Sequence, residues 1–190
     1  MNGLVNYALE GFLRSTYGAA QWQTIAQRAG LGFDRFEPLL DYPPDLTDRV
    51  IAAAAEILHR PRDTVLEDLG TWLVAPRSDG RLRRLLRFGG LRFLDFLHSL
   101  EELPGRARLA LPDFQLPDMR LRDLGEGAFC LQVQDPFAGA HHLVMGILRA
   151  MADDYGALVL IDGGDGAITI QLLDATHAEA RQFDLAVGAP

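Results

Sequence analysis

Apolar residues recur every third or fourth position through the first hundred residues and every second position through much of the remainder. Two periods imply two kinds of element, helices first and strands later. Leu4, Ala8 and Phe12 make one stripe and Val5, Leu9 and Leu13 the next, so a helix with a wide buried face starts almost at Met1 and ends at the glycine cap Tyr17-Gly18. An apolar face that begins with the first residues implies a terminus tucked against the rest of the chain. A second helix covers 19–28 and closes at Gly30-Leu31-Gly32. The turn DYPPDL at 41–46 offers Asp45 as N-cap for a helix over 46–58, with Val50, Ala54 and Leu58 on one side. His59 and Arg60 end it before Pro61. Asp63 is placed to cap the next helix, 64–74, which carries Val65, Leu66, Leu69, Trp72 and Leu73.

After a loop at 76–80 and a short helix at 82–86 comes FGGLRFLDFLHSLEELPG, residues 88–105. Leu91, Leu94, Leu97, Leu100 and Leu103 fall on one stripe with Phe93 and Phe96 beside it, which predicts one long amphipathic helix. Gly89-Gly90 opens it and Pro104-Gly105 stops it. Residues 109–117 read as an extended, proline-bounded connection. From Met119 the period shortens to two: strands at 119–124 and 128–133 flank the turn Gly125-Glu126-Gly127. A loop at 134–139 leads into a helix over 140–155, with Leu143, Ile147 and Met151 on one face. Strands at 157–161 and 167–173 then surround DGGDG at 162–166. The order predicts an α+β protein, a helical front half followed by a small four-stranded antiparallel sheet packed by helices.

Composition narrows the chemistry. At 190 residues, 48% hydrophobic and 23% charged, the chain can bury an ordinary globular core. Its net charge of -8 disfavours nucleic acid. The run Arg77, Arg81, Arg83, Arg84, Arg87 and Arg92 has little aromatic interleaving and reads as a solvated face. All 18 basic residues are arginine, which removes a Walker lysine, a Schiff-base lysine and a lysine general base. Cys130 stands alone, so no disulfide forms within the chain and a reducing cytoplasm is the natural setting. The opening residues carry no basic leader, and the longest apolar run, 50–58, is too short to span a bilayer.

No catalytic constellation emerges, and the chain is expected not to be an enzyme. His141 and His142 are adjacent and diverge by about 100 degrees on a helix, a poor start for one metal site. Gly163-Gly164-Asp165-Gly166 lacks the following helix a phosphate loop requires. Ser15, Ser78 and Ser99 lie in no nucleophile elbow, and Glu101-Glu102 and Asp153-Asp154 read as solvated faces.

Local words in order carry a resemblance over Met1 to about Leu173: MNGLVNYALEGFLRSTYG, DYPPDLTDRVIAAAAEIL, LEDLG, LLRFGGLRFLDFLHSLEEL, RARLALPDFQLP and GILRAMA. Together they resemble the haem–nitric oxide/oxygen binding (H-NOX) family, the sensor fold shared by bacterial signalling proteins and soluble guanylate cyclase. The resemblance implies one domain over 1–190: a helical N-terminal lobe (1–62), an α+β C-terminal lobe (63–176) and a tail (177–190), with haem b between the lobes in conventional members. It also implies a pocket lined by Met1, Val5 and Leu9 of the first helix, by Leu73, Leu143 and Ile147, and by Leu97, Pro104, Pro117, Val133 and Phe137.

Two departures from the family pattern bear on that cofactor. The histidine that ligates haem iron in the family matches Pro104, within Glu101-Glu102-Leu103-Pro104, and proline has no side-chain donor atom. The propionate-clamping Tyr-x-Ser-x-Arg motif matches Val133-Gln134-Asp135-Pro136-Phe137, which supplies neither hydroxyls nor a guanidinium. His98 is about 120 degrees round from the face of Pro104, which Leu97 shares. His141 or His142 is the alternative axial ligand. The expectation is therefore a cytoplasmic sensory or regulatory domain with an apolar pocket and without conventional histidine-ligated haem. It would act in trans on a signalling partner; in the family, standalone domains pair with histidine kinases or cyclic-di-GMP enzymes. The alternatives are haem or another tetrapyrrole held by a non-standard ligand, and a haem-free interaction scaffold.

Overall fold

The computed structural model describes residues 3–75, 81–110, 116–134, 137–164 and 166–174. The elements are α1 (Gly3–Tyr17), α2 (Ala19–Arg28), α3 (Pro44–Leu58), α4 (Arg62–Val74), α5 (Arg81–Arg87), α6 (Phe93–His98), α7 (Leu103–Ala110), β1 (Met119–Gly125), β2 (Ala128–Val133), α8 (Ala140–Tyr155), β3 (Leu158–Gly164) and β4 (Ala167–Asp174). This is the α+β architecture that the two hydrophobic periods predict. The strands form one antiparallel sheet in the order β1-β2-β4-β3. Phe129, Leu131 and Val133 of β2 alternate inward with Ile168 and Ile170 of β4, and α8 covers that face.

Several boundaries differ from the sequence reading. Asp45 and Asp63 are not N-caps: Pro43 and Pro61 occupy those positions, and both carboxylates sit in the first helical turn, where the positive helix end favours them. Strand β3 runs on through Gly163 and Gly164, which pair with Ile168 and Ala167, so the expected five-residue turn is shorter. A Cβ on Gly163 would lie 2.5 Å from the sulfur of Met145 in α8, so a side chain there would push the thioether aside.

The largest difference is in the stretch expected to be one long helix. It is a six-residue helix, α6, then a tight turn, then α7. The amides of Ser99, Leu100, Glu102 and Leu103 each bond to the carbonyl three residues back, a closer winding than an α-helix. Pro104 does not stop a helix. It is the second residue of α7, where the amide it lacks would have no intrahelical partner. Had the helix run straight through, the ring would have met the carbonyl of Leu100 and forfeited its bond. The break therefore falls before the proline. Leu91, expected on the stripe, is 79% exposed, while Phe93, Phe96, Leu97, Leu100 and Leu103 are buried. Leu109 belongs to α7 rather than to an extended connection, and 111–115 lie outside the described residues.

Two apolar clusters result. One joins α1–α4 around Trp22, Phe12 and Phe36; the other joins the end of α4, α5–α8 and the inner sheet face. Leu73 and Leu143 pack against both. Helices α4 and α8 cross at backbone contact: a Cβ on Gly70 would lie 2.1 Å from the carbonyl oxygen of Leu143, and one on Gly146 2.0 Å from that of Glu67.

Candidate functional site

The pocket residues expected from the sequence distribute over both clusters. Leu9 is buried in the N-terminal cluster, Val5 is half-buried on the same helix, and Phe137 is half-buried against that cluster. Leu97, Val133 and Ile147 are buried in the C-terminal cluster, and Pro104 is buried at the start of α7. The half-buried Leu73 and Leu143 join the two sets along the α4–α8 seam. Pro117 is half-buried just ahead of β1. Met1, Asp135 and Pro136 lie outside the described residues.

Aromatic bulk stands at the N-terminal side of this seam. The Trp72 ring packs 6.2 Å from that of Phe12, and a Cβ on Gly11 would come within 3.2 Å of the indole. A larger residue at position 11 would require the indole to give way by a few tenths of an ångström.

The three histidines considered as ligands occupy distinct settings. His98 is exposed, with its ring edge on Phe129 at 6.0 Å between centroids. His142 is clasped by α4: its Nδ1 is 3.3 Å from Glu67 Oε1 and its Nε2 is 3.5 Å from Asp63 Oδ1. Glu67 also pairs with Arg149, about two turns further along α8. His141 is buried, its ring 4.3 Å from that of His142. Among the described residues no group of three His, Cys, Asp or Glu side chains is arranged to hold a metal ion.

Sequence reasoning missed a buried polar node in the N-terminal lobe. Glu10 accepts the Phe36 amide at 2.7 Å and pairs with Arg14 at 2.8 Å, while Arg14 and the Trp22 indole both donate to the Asp34 carbonyl. The node ties the loop after α2 to α1. Its one visible signal is the spacing of four between Glu10 and Arg14 on a largely apolar face.

The arginine run also differs from a plain solvated face. Arg83 and Arg87 pair with Asp154, and Arg87 lies 4.4 Å over the Tyr155 ring, whose hydroxyl donates to the Gly90 carbonyl. Burial pushes the Tyr155 phenol up, although the Arg87 guanidinium opposes the shift. A phenol whose folded pKa is raised contributes its stability below the ordinary tyrosine range and loses it as pH rises through the raised value. In an alkaline titration the last phenolate to appear is therefore expected to vanish in Tyr155→Phe. An unchanged final step would mean that the phenol is not desolvated.

A helical lobe joined to a four-stranded sheet lobe through packed α4 and α8 is also the architecture of solved H-NOX proteins. An Fe(II) unliganded H-NOX protein from K. algicida has the same fold at TM-score 0.74 and 14% identity, over 93% of this chain and 98% of that one. An S. oneidensis H-NOX protein in an Fe(II) ligation state matches at TM-score 0.74 and 16% identity, over 92% and 97%. The Haem-NO-binding (HNOB) family model matches residues 2–162, and the chain belongs to that family. Among curated relatives, soluble guanylate cyclase gcy-31 of Caenorhabditis elegans is 22% identical over 93% of this chain, and soluble guanylate cyclase 89Db of Drosophila melanogaster 20% identical over 83%. The chain spans about a quarter of the length of these relatives, 24% of each. Among the described residues no helix is long and apolar enough to cross a membrane.

Proposed function

We propose that this chain is an H-NOX regulatory domain that acts on a signalling partner in trans and does so without histidine-ligated haem. The observation that carries the reading is Pro104, buried in the first turn of α7; the sequence resemblance sets it at the family's ligating position, where its side chain would offer iron nothing. His142 and His98 support it. Both ring nitrogens of His142 face carboxylates of α4, and the exposed His98 packs on Phe129. These residues do not fit axial ligation of haem iron. The half-buried Phe137 stands where the family clamps a propionate, and a phenyl ring has no charge to offer one.

On this reading the lobes 1–62 and 63–176 form one domain with a tail at 177–190, and the output is a change in how its surface meets a partner such as a histidine kinase or a cyclic-di-GMP enzyme. The setting is cytoplasmic, and any ligand of the Leu9–Leu73–Leu143–Ile147 region is small and apolar. The test is the absorption spectrum of the chain produced in cells supplied with haem precursor. No Soret band of imidazole-bound haem is expected. A red protein whose iron–imidazole signature disappears when His98, His141 or His142 is changed overturns the proposal.

A further inference from the structure

We propose that the groove over α5 and the Phe88-Gly89-Gly90 turn is a docking surface for an acidic protein segment tipped with an apolar side chain. The groove has a volume of about 380 Å3 and is lined by Arg83, Arg84, Arg87 and Phe88. Phe88 is 81% exposed and the neighbouring Leu91 79%. Phe88 thus gives a groove walled by arginines one large apolar side chain that the rest of the chain leaves in solvent.

The backbone of the turn is closely packed. A Cβ on Gly89 would lie 2.5 Å from Ser99 Oγ and 3.1 Å from the Leu86 carbonyl oxygen. Gly90 has φ of +144°, and a Cβ there would lie 2.2 Å from that of Asp95. The Gly90 carbonyl accepts from Tyr155, and Arg106 donates to the carbonyls of Phe88 and Ser99. These contacts hold the main chain of the turn that carries Phe88, so little backbone ordering remains to be lost on binding.

Charge selects the occupant. Three guanidiniums line the groove and one carboxylate, Asp154, balances them, a local surplus of two positive charges in a chain of net charge -8. Arg84 is exposed and has no ion pair among the described residues. Asp154 and the Tyr155 ring fix Arg87. Carboxylates next to an apolar side chain complement this surface better than a nucleic acid, which would need a longer basic track and stacked rings and would face repulsion from the rest of the molecule. Helix α5 packs on α4 and α7, so a partner seated here touches elements that reach both the α4–α8 seam and Pro104.

The surface deepens the reading of action in trans and rests on it. The test titrates the isotope-labelled full chain by NMR with a short peptide of Glu, Asp, Leu and Phe. The controls are the same peptide with Ser for Leu and Phe, inorganic phosphate and single-stranded oligothymidine. Shifts are expected to be confined to α5 and residues 88–92. Affinity is expected to fall about tenfold or more in Arg84→Glu, in Phe88→Ser and with the serine peptide. Both positions are exposed, so unchanged melting of each variant shows an intact fold. Shifts elsewhere, affinity indifferent to either substitution, or phosphate or oligothymidine binding as tightly as the peptide overturn the surface. Such a failure leaves the haem spectrum untouched, whereas an imidazole-bound haem spectrum overturns the functional reading and leaves the titration intact.

Discussion

Gly146→Ala is expected to destabilise the fold by about 3 kcal/mol or more, a drop in Tm of about 10 °C for a chain of this size. The added methyl would sit 2.0 Å from the carbonyl oxygen of Glu67 and 2.8 Å from its carbon. Those are main-chain atoms of α4, which no rotamer change can move aside. Relief requires α4 and α8 to separate, and the two apolar clusters are joined across that seam by Leu73 and Leu143. Gly70→Ala meets the reciprocal obstacle, the Leu143 carbonyl oxygen at 2.1 Å, and is expected to cost a similar amount. The control is Gly105→Ala in α7. A Cβ there has nothing within 4 Å, and the helix-propensity gain of about 0.5–1 kcal/mol is left to show. Thermal unfolding followed by circular dichroism separates the three. A Gly146→Ala variant melting within a degree or two of the parent would show that α4 and α8 are not locked as described.

That seam was invisible in the sequence. Gly70 and Gly146 are single glycines inside two amphipathic patterns far apart along the chain, and nothing local says that they meet. What could be read locally was read well. Strand β2 and helix α8 have the expected limits because Gly127, Gly139 and Gly156, all with positive φ, bound them. The broken helix was misread for an instructive reason. Phe93, Phe96, Leu97, Leu100 and Leu103 stay buried whether the chain winds at three or at 3.6 residues per turn, so apolar spacing alone could not reveal the change. The decisive residue was Pro104, whose ring acts on the turn before it.

The candidate site was legible to a different depth. Periodicity put Leu9, Leu73, Leu143 and Ile147 on inner faces, but only the family resemblance grouped them around one region. The carboxylates that engage His142 could have been suspected, since Asp63 and Glu67 lie four residues apart on α4. Which helix would face them depends on the α4–α8 crossing, a tertiary fact. The arginine groove needed the structure outright, because Asp154 and Tyr155 reach α5 across a long stretch of chain.

Pro104→His combined with Phe137→Arg is expected to take up haem and to show a Soret band that, on the proposed reading, the parent chain lacks. Position 104 tolerates the exchange in backbone terms. It lies in the first turn of α7, so the amide that histidine restores need not displace an existing bond. The same location suits the ligand. A cation at a helix N-terminus is disfavoured, which holds an imidazole there in the neutral form that coordinates iron. Phe137 is half-buried against the N-terminal cluster, and its replacement exchanges an apolar ring for a guanidinium that can meet a propionate, at a stability cost of about 2–3 kcal/mol. Phe137→Arg alone is expected to take up no haem, because it brings no ligand. Haem titration of the refolded or freshly purified variants, with circular dichroism to confirm folding, reads the result. A double variant that folds as the parent does and still binds no haem would mean that Trp72, Phe12 and their neighbours fill the space between the lobes, and that the loss of the ligand followed the loss of the cavity.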